Sequence, residues 1–352
     1  MSFHYSDLVK STHSSDEDSN SEGLTWIAPS EKHISEMPPA LVESKIEFKP
    51  FLGVKTAFLE ASLEFDVHPD DIYVCSLPKS GSSWTTTIAW LLTNNLDYDS
   101  IDTANRGTIM GDFDEIFNME IASTKARELR ENDESLSEAE AHHMAWHDVF
   151  SHLKAPRVFK SHSHSYFLPK GVWTKGARVI YVVRNFKDMA ISAYHFAINF
   201  FHDNITVDDV VNGITNDVWY QSPQIDHILN YWKLRHLPNV SFVHYEDLVN
   251  DSFNTIKTIS EFLGCCYTDE QLKVLTEFVS FKNMKKNKAI NREEDVARME
   301  EKFGKKRPNP GFTFLRKGKV GTYHEDLTED QIKKFDDWIE EKLKDSDFRF
   351  KC

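Results

Sequence analysis

Residues 72–84 read IYVCSLPKSGSSW. Ile72, Tyr73 and Val74 open a short apolar run that predicts a strand over Ile72–Ser76. Pro78, Gly81 and three serines then break it, and WTTTIAWLL at Trp84–Leu92 reads as a buried helix. A strand, a tight turn and a helix make a cradle for an anion. Backbone N–H groups of the turn and of the helix start point at it, and Gly81 lets the chain come close. Lys79 adds a full charge, and Ser82 and Ser83 add hydroxyl donors. The common ATP loop, GxxxxGK[ST], places lysine after its second glycine, whereas Lys79 precedes Gly81. With no evident magnesium carboxylate, an ATP-dependent kinase is a poor reading.

Outward from this loop, strand-like and helix-like segments alternate. Arg157–Lys160, Ala177–Val183 and Val240–His244 are further strand candidates, and Ser252–Leu263 reads as a helix. After Val183, Asn185 and Asp188 have the spacing of a capping box for a helix running to about Phe200. Apolar strands separated by helices indicate an α/β fold, a single domain with a central parallel sheet flanked by helices. Residues 1–38, rich in Ser, Asp and Glu, are expected to form a flexible acidic arm. The remaining domain, residues 39–352, carries a helical insertion at about 95–150, with 122–150 free of Pro and Gly.

Composition sets limits. In 352 residues, 40% are hydrophobic and 28% charged, which suits a globular chain with a sizeable core. No apolar run approaches the length of a membrane span, and the N-terminus lacks the order of a secretory signal. A cytoplasmic location is therefore expected. Cys75, Cys265, Cys266 and Cys352 show no CxxC spacing, so reduced thiols are expected. The formal net charge of −15 argues against nucleic-acid partners. It also means that a polyanion-binding site must gather cations against the overall field. HSH at 162–164 and the His142–His143 pair lack zinc-ligand spacing, so no metal is expected.

Six blocks, taken in order, resemble the cytosolic sulfotransferase family. LPKSGSSW is similar to its 5′-phosphosulfate loop, RVFKSH (Arg157–His162) to its strand ending in Lys-Thr-His, and VIYVVRNFKDMAISAYHF (Val179–Phe196) to its 3′-phosphate motif. VHYEDL (Val243–Leu248), FVSFKNMKKN (Phe278–Asn287) and FLRKGKVG (Phe314–Gly321) follow. The resemblance implies a P-loop-like site for 3′-phosphoadenosine 5′-phosphosulfate, whose product is adenosine 3′,5′-bisphosphate. Lys79, Ser80, Gly81, Ser82 and Ser83 would hold the phosphosulfate, with Trp84 stacked on the adenine. Arg184, Ser192, Arg316, Lys317 and Gly318 would take the 3′-phosphate. Tyr245, Ser280 and Phe281 would complete the adenosine pocket. Lys79 and Lys160 would be catalytic cations, and His162 the base that activates a small lipophilic hydroxyl substrate. His164 is its nearest rival, because strand alternation would put both on one side.

The chain departs from the family in three places. KSHSH stands where the family has Lys-Thr-His-Leu-Pro, and the stretch from Lys79 to His162 runs some twenty residues beyond the family's usual length. The dimer motif after RKGKVG retains only Thr328, which leaves a homodimer through other surfaces open. The long arm and the insertion are also similar to the insect retinol dehydratase branch of the family. That branch implies transfer followed by elimination, retinol giving anhydroretinol. An ordinary sulfotransferase making stable esters of phenols or sterols is the alternative, and a silent nucleotide- or hydrophobe-binding protein a more distant one. Phe58, Trp146, Tyr166, Phe196 and Phe200 are aromatic candidates for the acceptor pocket, each in competition with ordinary core packing.

Overall fold

The computed structural model describes residues 25–27, 31–47, 51–53, 62–103, 109–113, 116–201 and 204–351. Phe58 and Cys352 lie outside them. The central sheet has five parallel strands in the order β4-β5-β3-β6-β7: β3 Ile72–Ser76, β4 Gly111–Asp112, β5 Val158–Ser161, β6 Arg178–Val183 and β7 Val240–His244. A separate antiparallel pair joins β1, Thr25–Ile27, to β2, Phe51–Gly53. The chosen strands fall within a residue or two of the sequence expectation.

Their apolar runs are continuous because both faces are covered. Tyr73 and Cys75, with Val179, Tyr181 and Val183, face one core cluster. Ile72 and Val74, with Ile180 and Val182, face a second. Successive side chains of a strand point to opposite sides, so a sheet buried on both faces needs apolar residues at every position. Helix α1, Ser82–Thr93, packs on the second face and carries three buried threonines. The hydroxyls of Thr85, Thr86 and Thr87 donate to the carbonyls four residues back, at 3.3, 2.7 and 2.9 Å, so none is stranded.

Two helices occupy the long stretch before β5: α2, Ile116–Asn132, and α3, Glu138–Phe150. A Ser137–Glu140 capping box opens α3. Trp146 and Phe150 from α3 stack at 5.3 Å and meet Phe113 and Phe159, which ties the pair to the sheet. The C-terminal end of the expected acidic arm is packed rather than loose: Ile27 and Met37 are buried in the main core. After β6, α4 spans Phe186–Phe200. Asn185 caps it by accepting from the Lys187 N–H at 3.0 Å, but Asp188 does not complete a capping box. Its carboxylate accepts instead from Gly321 N, Tyr323 N and Thr322 Oγ1, which anchors the end of the RKGKVG segment.

At the opposite edge of the strands, Arg157 bonds both carboxylate oxygens of Asp71, with Nε to Oδ1 at 2.8 Å. Asp71 is fully buried and Arg157 nearly so. Removing one partner of such a pair leaves an uncompensated buried charge. Arg157→Met should therefore lower the unfolding free energy by about 3–5 kcal/mol in denaturant titration. The double variant with Asp71→Asn should recover much of that loss.

Candidate active site

Four parallel strands deliver the sequence-predicted residues to one edge of the sheet, the one formed by the strands' C-terminal ends. The C-terminal end of β3 leads to Lys79, β5 to Lys160 and His162, β6 to Arg184, and β7 to Tyr245. In open parallel sheets this edge is where ligands bind.

The turn after β3 uses two left-handed residues, Lys79 at φ +68° and Gly81 at φ +103°. A Cβ on Gly81 would lie 2.6 Å from Tyr245 Cδ2, so only glycine allows the loop to press on that ring. Among the described residues no side chain caps the start of α1, an end that carries partial positive charge. Lys79 Nζ lies over two rings, 4.2 Å from the centre of Phe196 and 4.0 Å from that of Phe314. Burial, followed by the charges of Arg292, Arg184, Lys160 and Arg316, pushes its pKa well below the ordinary lysine value. Four cations thus crowd the lysine of this loop in a chain of net charge −15.

Tyr245 gathers several of the residues expected to bind the nucleotide. Arg184 stacks over its ring at 4.4 Å and donates from Nη1 to the Lys79 carbonyl at 3.1 Å. Trp84 meets the same ring edge-on at 6.0 Å. Gly318, at φ +61°, lies against Phe281 so closely that a Cβ would come within 2.1 Å of the ring. Arg316 and Lys317 precede it and pair with Asp326 and Glu325 at 3.4 and 2.7 Å. Ser192 is half-buried on α4. Trp84 Nε1, Arg184 Nε and Ser280 Oγ are buried without a hydrogen-bond partner among the described residues. Buried donors of this kind call for an acceptor, and a phosphate-bearing nucleotide fits this donor set.

The two histidines separate clearly. β5 ends at Ser161, so strand alternation does not govern residues 162–164, contrary to the expectation that both rings share a side. His162 Nδ1 lies 2.7 Å from the Ser76 carbonyl at the end of β3. A carbonyl accepts only, so Nδ1 carries the proton and Nε2 is the basic nitrogen. His164 turns into the protein instead, with its ring 4.6 Å from His227 and 5.2 Å from Tyr166. His227 fixes the loop from behind, bonding the His162 carbonyl at 3.1 Å and the Tyr181 hydroxyl at 2.9 Å.

The aromatic candidates divide as well. Phe196 and Phe200 stack at 4.7 Å beside Lys79. Tyr166 is fully buried against His164, and Trp146 belongs to the core cluster of α3. Sequence reasoning missed Arg292 and Phe314, which pack together at 5.0 Å over the Lys79 site. It also missed Asp112, whose carboxylate accepts from Lys160 Nζ at 2.6 Å. Arg292 falls between the motif blocks that end at Asn287 and resume at Phe314, and Asp112 falls in the polar insertion. Among the described residues, His68, Asp70 and Asp71 lie close enough to hold an ion, but Arg157 engages Asp71 there, away from this edge.

The model of the sulfotransferase domain matches residues 69–347. The chain belongs to the sulfotransferase family. This sulfotransferase is 26% identical to the luciferin sulfotransferase of Photinus pyralis over 84% of its own length and 78% of that relative's. It is 28% identical to cytosolic sulfotransferase 1 of Danio rerio, over 82% and 87%. In fold it is similar to retinol dehydratase in a complex with retinol and PAP, with a TM-score of 0.69 at 21% identity, covering 93% of this chain and 99% of that one. A mouse sulfotransferase complexed with PAP aligns with a TM-score of 0.59 at 22% identity, over 86% and 95%. Among the described residues, no helix of this sulfotransferase is long and apolar enough to cross a membrane.

Burial and the neighbouring Lys160 charge both disfavour the imidazolium, holding the His162 pKa well below its ordinary value of 6.5. The neutral form therefore persists as pH falls through 6.5, and protonation waits for more acidic solution. NMR titration should show the His162 ring resonances unmoved across pH 6.5; a midpoint at or above that value would contradict the burial argument.

Proposed function

We propose that this sulfotransferase takes its sulfuryl group from 3′-phosphoadenosine 5′-phosphosulfate and delivers it to the hydroxyl of a small lipophilic alcohol. One observation carries the reading. His162, its Nδ1 committed to Ser76, stands just past the end of β5, the strand that carries Lys160 and lies beside β3 and its Lys79 loop. When bound, the nucleotide supplies an activated sulfuryl group. Lys79, Ser80, Gly81, Ser82 and Ser83 would grip its phosphosulfate, and Trp84 its adenine. Arg184, Ser192, Arg316, Lys317 and Gly318 would hold the 3′-phosphate, with Tyr245, Ser280 and Phe281 around the adenosine.

The chemistry asks for positioning and for cations where charge gathers on the leaving oxygen. Lys79 and Lys160 would serve there. Nε2 of neutral His162 would take the proton of the attacking hydroxyl, a role that needs a base unprotonated at working pH. The stacked Phe196 and Phe200 offer an apolar wall for the alcohol. A metal has no part in this reading.

A second reading, elimination after transfer, is favoured by the 93% of the chain that aligns with retinol dehydratase. With an allylic alcohol such as retinol, the C–O bond of the sulfate ester would break and its electron pair leave with sulfate. Loss of a proton from the polyene would then form the new double bond. A closed apolar pocket would exclude competing water.

Radiolabelled phosphosulfate donor with a panel of lipophilic alcohols tests both readings. Labelled ester supports simple transfer, whereas free labelled sulfate with anhydroretinol absorbance supports elimination. No transfer to any alcohol would overturn the proposal. His162→Asn should reduce turnover by about 100-fold or more, while calorimetric binding of adenosine 3′,5′-bisphosphate stays close to that of the unmodified protein. Because His162 stays neutral, the rate should also show no acid limb at pH 6.5. Gly81→Ala should weaken bisphosphate binding, since its Cβ would drive Tyr245 away from Arg184.

A further inference from the structure

The six motif blocks leave Asp112 unmarked. Gly111–Asp112 forms β4, a two-residue parallel strand at the edge of the sheet, in a register that sets Asp112 against Lys160. The Phe113 N–H donates to the Lys160 carbonyl at 3.3 Å and so pins that register. Neighbours in register present their side chains to the same face. The Asp112 carboxylate accordingly meets the Lys160 ammonium at 2.6 Å, with 9% and 6% of the two side chains exposed.

We propose that Asp112 is a positioning residue, which holds the Lys160 ammonium at the sheet edge beside His162 and so aims its charge at the transferring group. The inference rests on the sulfuryl-transfer reading above. A lysine side chain is a point charge on four flexible carbons, and nothing in its own geometry fixes where the charge sits. Lys79, with Arg184, Arg292 and Arg316 close by, repels Lys160 from the place where a catalytic cation would act. A buried carboxylate in register is the restraint that opposes this. Stability is a weak reason for such a pair, because well-packed apolar residues serve a core as well or better.

The charged and titratable groups acting on the His162 ring are Lys160, Asp112 and His227. Lys160 and His227 disfavour its protonation and Asp112 favours it. Removing the carboxylate therefore has a sign that mere loosening of the fold would not produce. The acid limb of the rate profile must move to lower pH.

The test compares steady-state turnover of Asp112→Asn and Asp112→Glu with that of the unmodified protein, using the phosphosulfate donor and its best alcohol. Asp112→Asn should lower kcat by roughly 10-fold, as for members of one ion-pair network. Bisphosphate affinity should change by no more than about twofold, and the acid limb should shift downward. Asp112→Glu should restore much of kcat. Should Asp112→Asn fail to fold, the double variant Asp112→Asn/Lys160→Gln removes both charges together and is compared with Lys160→Gln. Equal turnover of these two shows that Asp112 acts through Lys160. An unchanged kcat and acid limb in Asp112→Asn, or a double variant well below Lys160→Gln, would overturn the proposal. Activity and bisphosphate binding of the unmodified protein test the underlying reading separately.

Discussion

A lysine ammonium lying over two perpendicular phenylalanine rings, with four more cations around it, is the constraint that shapes this end of the molecule. Lys79 is only half-buried, and Phe196 and Phe314 shield part of its ammonium from water. The cation–ring contacts recover part of the desolvation cost. The remaining strain is distributed over neighbours. Arg184 spreads its charge over Tyr245 and anchors on the Lys79 carbonyl, Lys160 leans on Asp112, and Arg292 bonds Asp295 at 2.7 Å. The turn itself must place two left-handed residues within three positions. Every element that reaches the sheet edge therefore contributes either a cation or the group that steadies one.

Much of this was legible in the sequence. The continuous apolar runs of β3 and β6 required a sheet covered on both faces, and the two core clusters divide their residues alternately. Lys79, Gly81, Arg184, Tyr245 and His162 stood in blocks whose order implied a common site, and the strand ends bring them together. The order of Lys79 before Gly81 separated this loop from the ATP type before any coordinates were needed.

What stayed hidden depended on pairing across long sequence separations. Asp112 is 48 residues from Lys160, and no periodicity announces a two-residue edge strand. Asp188 kept the spacing of a helix cap, yet backbone donors 133 and 135 residues away claim its carboxylate. Thr328, the surviving residue of the dimer motif, begins the helix Glu329–Leu343 through a capping box with Gln331. A cap alone accounts for its presence. His162 and His164 could not be told apart while both were assigned to a strand. The end of β5 at Ser161 frees the first to meet Ser76 and the second to pack on His227.

The two kinds of ion pair at the site differ in a way that bears on how an anion would enter. Lys317–Glu325 and Arg316–Asp326 are partly open to solvent, with Glu325 65% exposed. Pairs of that kind are worth little and exchange readily for a better partner. A dianionic phosphate offers more charge and more acceptor oxygens than either carboxylate. On the proposed reading, the Arg316–Lys317 segment would trade its acids for the nucleotide, while Asp188 keeps the adjacent Gly321 in place. Lys160–Asp112 is buried and cannot be exchanged at similar cost. The outer cations are thus built to let go of their acids and the inner one to keep its own, which matches a site that must accept and release a nucleotide in every cycle while its catalytic edge stays fixed.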